Sequence, residues 1–200
     1  MKNIHITAVS IGGLVNLGLF FAKLYVGISS NSLAVYCDAI NNLGDTFACI
    51  IGIIGFIIAK KTSERKQKRI QSLCTFVISI IICVTGAYFV YNGMERLMYP
   101  LKISYSNEYA LIISITIAVK IIMGVMFIAF NKREPSPVLK ALVTDSFLDC
   151  GITLFTLMGL FLIVKVQFAV DGIFAIVIGI AVTVSSLKNL IQQAKYLVND

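Results

Sequence analysis

Six stretches of this 200-residue chain are each long and apolar enough to cross a bilayer, and little sequence is left between them. A spanning helix needs about 20 largely apolar residues to traverse ~30 Å of hydrocarbon. The runs cover residues 4–28, 33–59, 70–94, 109–130, 138–164 and 168–187. Lipid offers the backbone no hydrogen-bond partner, so runs of this length satisfy their own amides by becoming helices. The expected fold is an all-α polytopic membrane protein with six transmembrane helices filling residues 1–200. Composition agrees: 58% hydrophobic residues, 14% charged and a mean hydropathy of +0.90 exclude a soluble domain.

Lys2 precedes the first run, as in a signal peptide. The run is too long for one and lacks an A-x-A-like cleavage site, so it reads as a retained helix. Orientation follows from the loops. The link KKTSERKQKR carries Lys60, Lys61, Arg65, Lys66, Lys68 and Arg69 against Glu64, and the link after run four carries Lys132 and Arg133. Lys140, Lys188 and Lys195 fall on the same side, whereas the opposite loops hold Arg96, Lys102 and Lys165, partly balanced by Glu95 and Glu108. Positive loops stay in the cytoplasm, which puts both termini there; the expected location is a prokaryotic plasma membrane. The formal charge of +7 does not point to nucleic acid, because these residues flank spans and lack an aromatic platform for bases. The bilayer and its anionic headgroups are the better partner. All five cysteines (Cys37, Cys49, Cys74, Cys83, Cys150) lie within spans without a C-x-x-C pair, and the chain has one histidine, His5. That excludes a disulfide framework and a zinc finger.

Polar residues are unevenly shared among the runs. The first carries Asn16 and Lys23, the second Asp38, Asn41, Asn42 and Asp45, the fourth Lys120, and the fifth Asp145 and Asp149; the third and sixth are almost clean. An intramembrane carboxylate costs ~2.5 to 3.5 kcal/mol on insertion scales, so such acids face a bundle interior and handle ions or protons. Helices 1, 2, 4 and 5 should therefore surround a polar path, with 3 and 6 outside. Residues i and i+4 share a helix face, so Asn41 with Asp45, and Asp145 with Asp149, each make a two-pronged oxygen clamp. Facing one another, the clamps make a four-ligand site. A constant offset places Ser32 over Ser136, Asn41 over Asp145 and Asp45 over Asp149, which hints at the internal repeat common in transporters.

The segment VNLGLFFAKLYVGISSNSLAVYCDAINNLGD resembles the opening of the cation diffusion facilitator family, with its asparagine, lysine and glycine, S-x-A, and a D-A-x-(H/D)-x-x-x-D block. KRIQSL resembles the family's entry to helix 3, although Gln71 stands where a glutamate is usual; SPVLKALVTDSFLD resembles its helix 5 block and VDGIFAIVIGIAV its helix 6 opening. The resemblance implies that Asn41, Asp45, Asp145 and Asp149 coordinate a divalent metal at mid-membrane. It also implies metal export coupled to inward proton movement by alternating access. Most relatives continue into a cytoplasmic metal-binding domain that helps to hold a homodimer; the expectation here is no such domain, so that dimerisation rests on the membrane helices.

Zinc members of that family typically include histidine, since borderline Zn²⁺ favours imidazole and thiolate. One amide and three carboxylates form a hard, oxygen-only set that suits Mn²⁺ and resembles the family's manganese branch. Mn²⁺ is the expected cargo, followed by Fe²⁺, then Zn²⁺ and Co²⁺. Cys37 and Cys150 could add a soft thiolate, but buried free cysteine usually acts as a small hydrophobe. Three carboxylates crowded into a low-dielectric pocket share protons when no cation is bound. A divalent ion displaces those protons and its departure takes them back.

Other polar residues have blander readings. Asp38 is an accessory group or the partner of Lys23 or Lys120, and the two lysines either pair with acids or snorkel from helix ends. His5 reads as an interfacial side chain, Asn42 as a helix-packing hydrogen bonder, and Asp171 as an N-terminal cap for helix 6. The chain is expected to be no enzyme and to hold no resident cofactor. An intramembrane aspartyl protease would need a YD block and a G-x-G-D block, whereas Cys37 separates Tyr36 from Asp38 and Gly44 precedes Asp45 without a second glycine. A non-transporting partner subunit of a heterodimer is the other alternative.

Overall fold

The structure, a computed structural model, describes residues 2–59, 64–133, 137–163 and 170–199. Ser136, Lys60, Lys61 and Lys165 lie outside the described residues, as do the side chains of His5, Gln71 and Lys140. Among the described residues there are six helices: α1 (Lys2–Ser30), α2 (Leu33–Ala59), α3 (Glu64–Met98), α4 (Asn107–Arg133), α5 (Pro137–Ile163) and α6 (Val170–Asn199). Among the described residues there is no strand. Each helix contains a segment long and apolar enough to cross a membrane. α3 and α6 run well past their apolar cores. Charged and amide residues are good helix formers once outside hydrocarbon, so hydropathy marks the membrane and not the end of the helix. Beyond its apolar run α6 stays attached to α3 through Ser72 Oγ, 2.7 Å from Gln193 Oε1.

The α1–α2 corner is tight and its cause is local. Asn31 adopts a left-handed φ of 58°; Asn31 N–H donates to Ile28 C=O at 3.2 Å and Ser32 N–H to Gly27 C=O at 3.0 Å. This is the paired pattern of a Schellman stop, and asparagine is the residue other than glycine that tolerates it. A Cβ on Gly27 would lie 2.9 Å from the backbone nitrogen of Tyr36, so the corner admits no side chain there.

Packing divides the bundle in two. α1, α2, α5 and α4 close a ring in which each touches the next, whereas α3 meets only α6 and α2 among the described residues. Among the described residues α3 and α6 form the most extensive helix contact. Glycines make it possible. A Cβ on Gly172 would come within 2.8 Å of Gly93 O and one on Gly179 within 2.8 Å of Gly86 O; the reverse approaches are 2.9 and 3.0 Å. Two glycine pairs at matching seven-residue spacing on antiparallel helices let the backbones touch twice in one register. In lipid, where apolar side chains gain little by leaving their surroundings, close backbone packing of this kind is a main source of association.

Asp171 joins the two units at one end. Its Oδ1 accepts from Ser32 Oγ at 2.6 Å and Ala34 N–H at 3.2 Å, and its Oδ2 accepts from Leu33 N–H at 2.8 Å. The sequence suggested a cap for its own helix, α6. The carboxylate instead satisfies the orphan amides that begin α2, while lying in the first turn of α6. Both helix N-termini favour a negative charge at that point. Beneath this contact, Ala34 and Cys37 of α2 pack with Phe89 of α3 and Phe174, Ala175 and Ile178 of α6.

Candidate metal site

At the opposite end the two units part around a cavity of about 610 Å³. It runs from the middle of the bundle toward the end where α2 stops and α3 begins. Asn41, Asp45 and Cys49 of α2 and Asp145 and Asp149 of α5 line it on one side. Thr75 and Ser79 of α3 and Ser185, Lys188 and Asn189 of α6 line it on the other. The expectation that α3 and α6 stand apart from the polar path thus needs amending, since they wall the cavity. Their hydroxyls were easy to pass over because serine and threonine can bond to their own helix, as Ser79 Oγ does to Thr75 C=O at 2.8 Å.

The i,i+4 spacing of the acids turns them to a common point. Carboxylate oxygens of Asp45, Asp145 and Asp149 lie within 4.8 Å of one another. Asp149 is buried, and the other two are half-buried on the cavity side. Asn41 joins them through its nitrogen: Nδ2 donates to Asp149 Oδ1 at 2.8 Å. To ligate a cation Asn41 would have to turn its amide over and present its oxygen. The structure therefore brings together all four side chains of the two clamps, three as convergent carboxylates and one as a donor to them.

The two lysines are fully buried and do not snorkel. Lys120 Nζ donates to Asp149 Oδ2 and lies 3.5 Å from Asp45 Oδ2, bridging α5 and α2 from α4. Lys23 Nζ is 2.9 Å from Asp38 Oδ1 and donates to Thr153 Oγ1 at 2.7 Å. Thr153 in turn donates to Asp149 C=O at 2.8 Å, so this pair adjoins the acid cluster along α5. Of the two lysines the sequence offered as partners for Asp38, Lys23 takes it.

Asn42 bonds within its own helix, Nδ2 to Asp38 C=O at 2.9 Å, and does not bridge helices by that group. Cys37 belongs to the apolar cluster of α2, α3 and α6. Cys150 Sγ points to Ile117 C=O on α4 at 4.0 Å. Among the described side chains Cys49, one turn beyond Asp45, is the cysteine that lines the cavity. Asn16, which the sequence placed among the polar residues of the first run without a role, has a buried Oδ1 with no hydrogen-bond partner. A signal for it existed: the offset that sets Asn41 on Asp145 and Asp45 on Asp149 also sets Asn16 on Lys120.

A bundle of six membrane-length helices that gathers three acids at the end of a cavity is an integral membrane protein. Residues 9–198 match the cation efflux transmembrane domain, and the chain belongs to that family. It is 25% identical over 187 residues to the manganese efflux system protein MneS of Bacillus subtilis, covering 86% of this chain and 62% of MneS. It is 22% identical over 184 residues to metal tolerance protein 5 of Oryza sativa, covering 86% of this chain and 43% of that protein. A cadmium, cobalt and zinc/H⁺–K⁺ antiporter of Bacillus subtilis is 25% identical over 91 residues, 44% of this chain and 29% of the antiporter. In each case the match spans less than two thirds of the relative's length.

Proposed function

We propose that this protein exports a divalent metal ion in exchange for protons, binding it between α2 and α5 with Asp45, Asp145 and Asp149 and with the oxygen of Asn41 once its amide turns. Mn²⁺ is the preferred cargo, followed by Fe²⁺, Zn²⁺ and Co²⁺. The observation that carries this reading is the meeting of three carboxylates from two helices at the end of a cavity. Outside such a role, an intramembrane acid cluster of this size is only a cost. An all-oxygen set favours hard divalent ions, and the alignment to a relative named for manganese efflux covers most of the chain. Relatives named for cadmium, cobalt and zinc keep the softer ions in the ranking.

In this reading the cavity is the cytoplasmic approach, and the α3–α6 pair and the ring change their relative tilt to expose the acids alternately to each side. Protons replace the ion on the carboxylates for the return. A homodimer would be held by membrane helices.

The test is metal-stimulated proton flux in proteoliposomes of the purified chain, with Mn²⁺, Fe²⁺, Zn²⁺, Co²⁺ and Mg²⁺ compared side by side. Flux led by Mn²⁺ and lost in Asp149→Ala is the expected result. A lead for Zn²⁺ would overturn the ligand-softness argument and leave transport standing. Absence of flux with every metal would overturn the transport reading for the isolated chain.

A further inference from the structure

Lys120 holds two of the three carboxylates that the proposed site offers to a metal. Its ammonium donates to Asp149 Oδ2 and stands 3.5 Å from Asp45 Oδ2, and no part of the side chain is exposed. Lys23, the neighbouring buried cation, is engaged by Asp38 and Thr153. We propose that Lys120 is a tethered competitor of the transported ion: metal binds by taking Asp45 and Asp149 from the ammonium, and the returning ammonium helps to expel it. This inference rests on the metal-transport reading and adds to it a residue that sets affinity and release.

The physical argument is one of charge and tethering. An ammonium bridging two carboxylates is a monovalent cation already bound. A divalent ion can outbid it because it carries twice the charge and can draw in Asp145 as well. The displaced ammonium stays near on its α4 stem, so its effective concentration at the site remains high whatever the bulk composition. A conducting or transporting site has to bind its ion firmly enough to capture it and loosely enough to let it go. Three unopposed acids would err toward tight binding, and a built-in cation corrects that without removing a ligand. Asn16, at the equivalent place in the other half of the chain, has an amide in place of the ammonium, so the competition comes from one side.

The experiment is Mn²⁺ titration by calorimetry in nanodiscs, together with liposome flux. Lys120→Met keeps the length of the stem and should bind Mn²⁺ about tenfold more tightly while turning over more slowly, because the competing charge is gone. Lys120→Arg should bind about tenfold more weakly, since a forked guanidinium holds paired carboxylates harder than an ammonium does. In Lys120→Ala, added methylammonium should weaken Mn²⁺ binding toward the native value and leave the native protein unaffected. A merely structural lysine gives no such amine sensitivity. If the methionine variant fails to fold, the arginine variant decides. Native binding with unchanged affinity in the variants, or no methylammonium effect, sinks the Lys120 inference alone. A native protein that binds no divalent metal removes the transport reading along with it.

Discussion

Two lysines are buried in the same four-helix ring, and they differ in how many acids they answer. Lys23 meets Asp38 and completes its bonding on Thr153. Lys120 meets Asp149 and Asp45, with Asp145 in the same cluster. The first centre is charge-balanced, and the second has more acid than its lysine can neutralise. Breaking a matched buried pair is costly, while the intact pair adds little net stability over apolar packing. A balanced centre therefore serves the fold. A centre with surplus carboxylate is stable only when further positive charge arrives, as a metal or as protons. In the proposed reading it is the imbalance, more than burial, that sets the acids of the second centre apart.

The sharpest break of this comparison is Asp45→Ala at the surplus centre. Metal-stimulated flux should fall to the level of empty liposomes while the protein still purifies as a folded species, checked by size exclusion and circular dichroism. The matching change at the balanced centre, Asp38→Asn, should act on stability, at about 3–5 kcal/mol, by leaving Lys23 buried without its counter-charge. Thermal unfolding in detergent measures it, and a Lys23→Met/Asp38→Leu double variant should recover most of the loss. If folded Asp38→Asn protein has lost metal binding, the two centres are one.

Away from both, Gly179→Val pushes a side chain into the backbone of Gly86. It should cost about 1–3 kcal/mol by overpacking and leave the Mn²⁺ affinity of the surviving folded fraction unchanged. The smallest effect belongs to Thr153→Val, which removes the hydroxyl between the centres. A loss of about 0.6 kcal/mol, typical of hydrogen bonds between membrane helices, is expected from unfolding measurements. A larger shift in metal affinity than in stability would mean that Thr153 couples the centres.

The sequence was most legible where one physical rule acts alone. Membrane thickness fixes run length, so the six helices could be read from hydropathy, and the 3.6-residue turn puts Asp45 with Asn41 and Asp149 with Asp145 on shared faces. Partner choice was harder, because it depends on helices brought together from distant parts of the chain. Nothing near Asp38 favours Lys23 over Lys120, and only the ring geometry separates them. Asn41 could be placed on the right face, but which end of its amide turns to Asp149 is decided by the hydrogen-bonding needs of that neighbour. The second wall of the cavity escaped because Thr75, Ser79 and Ser185 carry no charge to set them apart from packing residues. Asp171 misled for a related reason: its place in the first turn of α6 fits a local cap equally well, and the competing amides at Leu33 and Ala34 are 138 and 137 residues away.

That separation has a consequence for how the molecule is made. Chains emerge N-terminal part first, so α2 reaches the membrane long before Asp171 exists. Until then the amides of Leu33 and Ala34 depend on water at the interface, and the corner is tied to α3 through Arg96 Nη2, which donates to Asn31 Oδ1 at 3.4 Å, without the carboxylate of Asp171. A nascent protein halted anywhere before α6 would hold Asn41 and Asp45 on a helix whose first amides still lack the carboxylate of Asp171. The sixth helix thus completes the second, and the acid-bearing face of α2 gains its final support only once the start of α6 has been made.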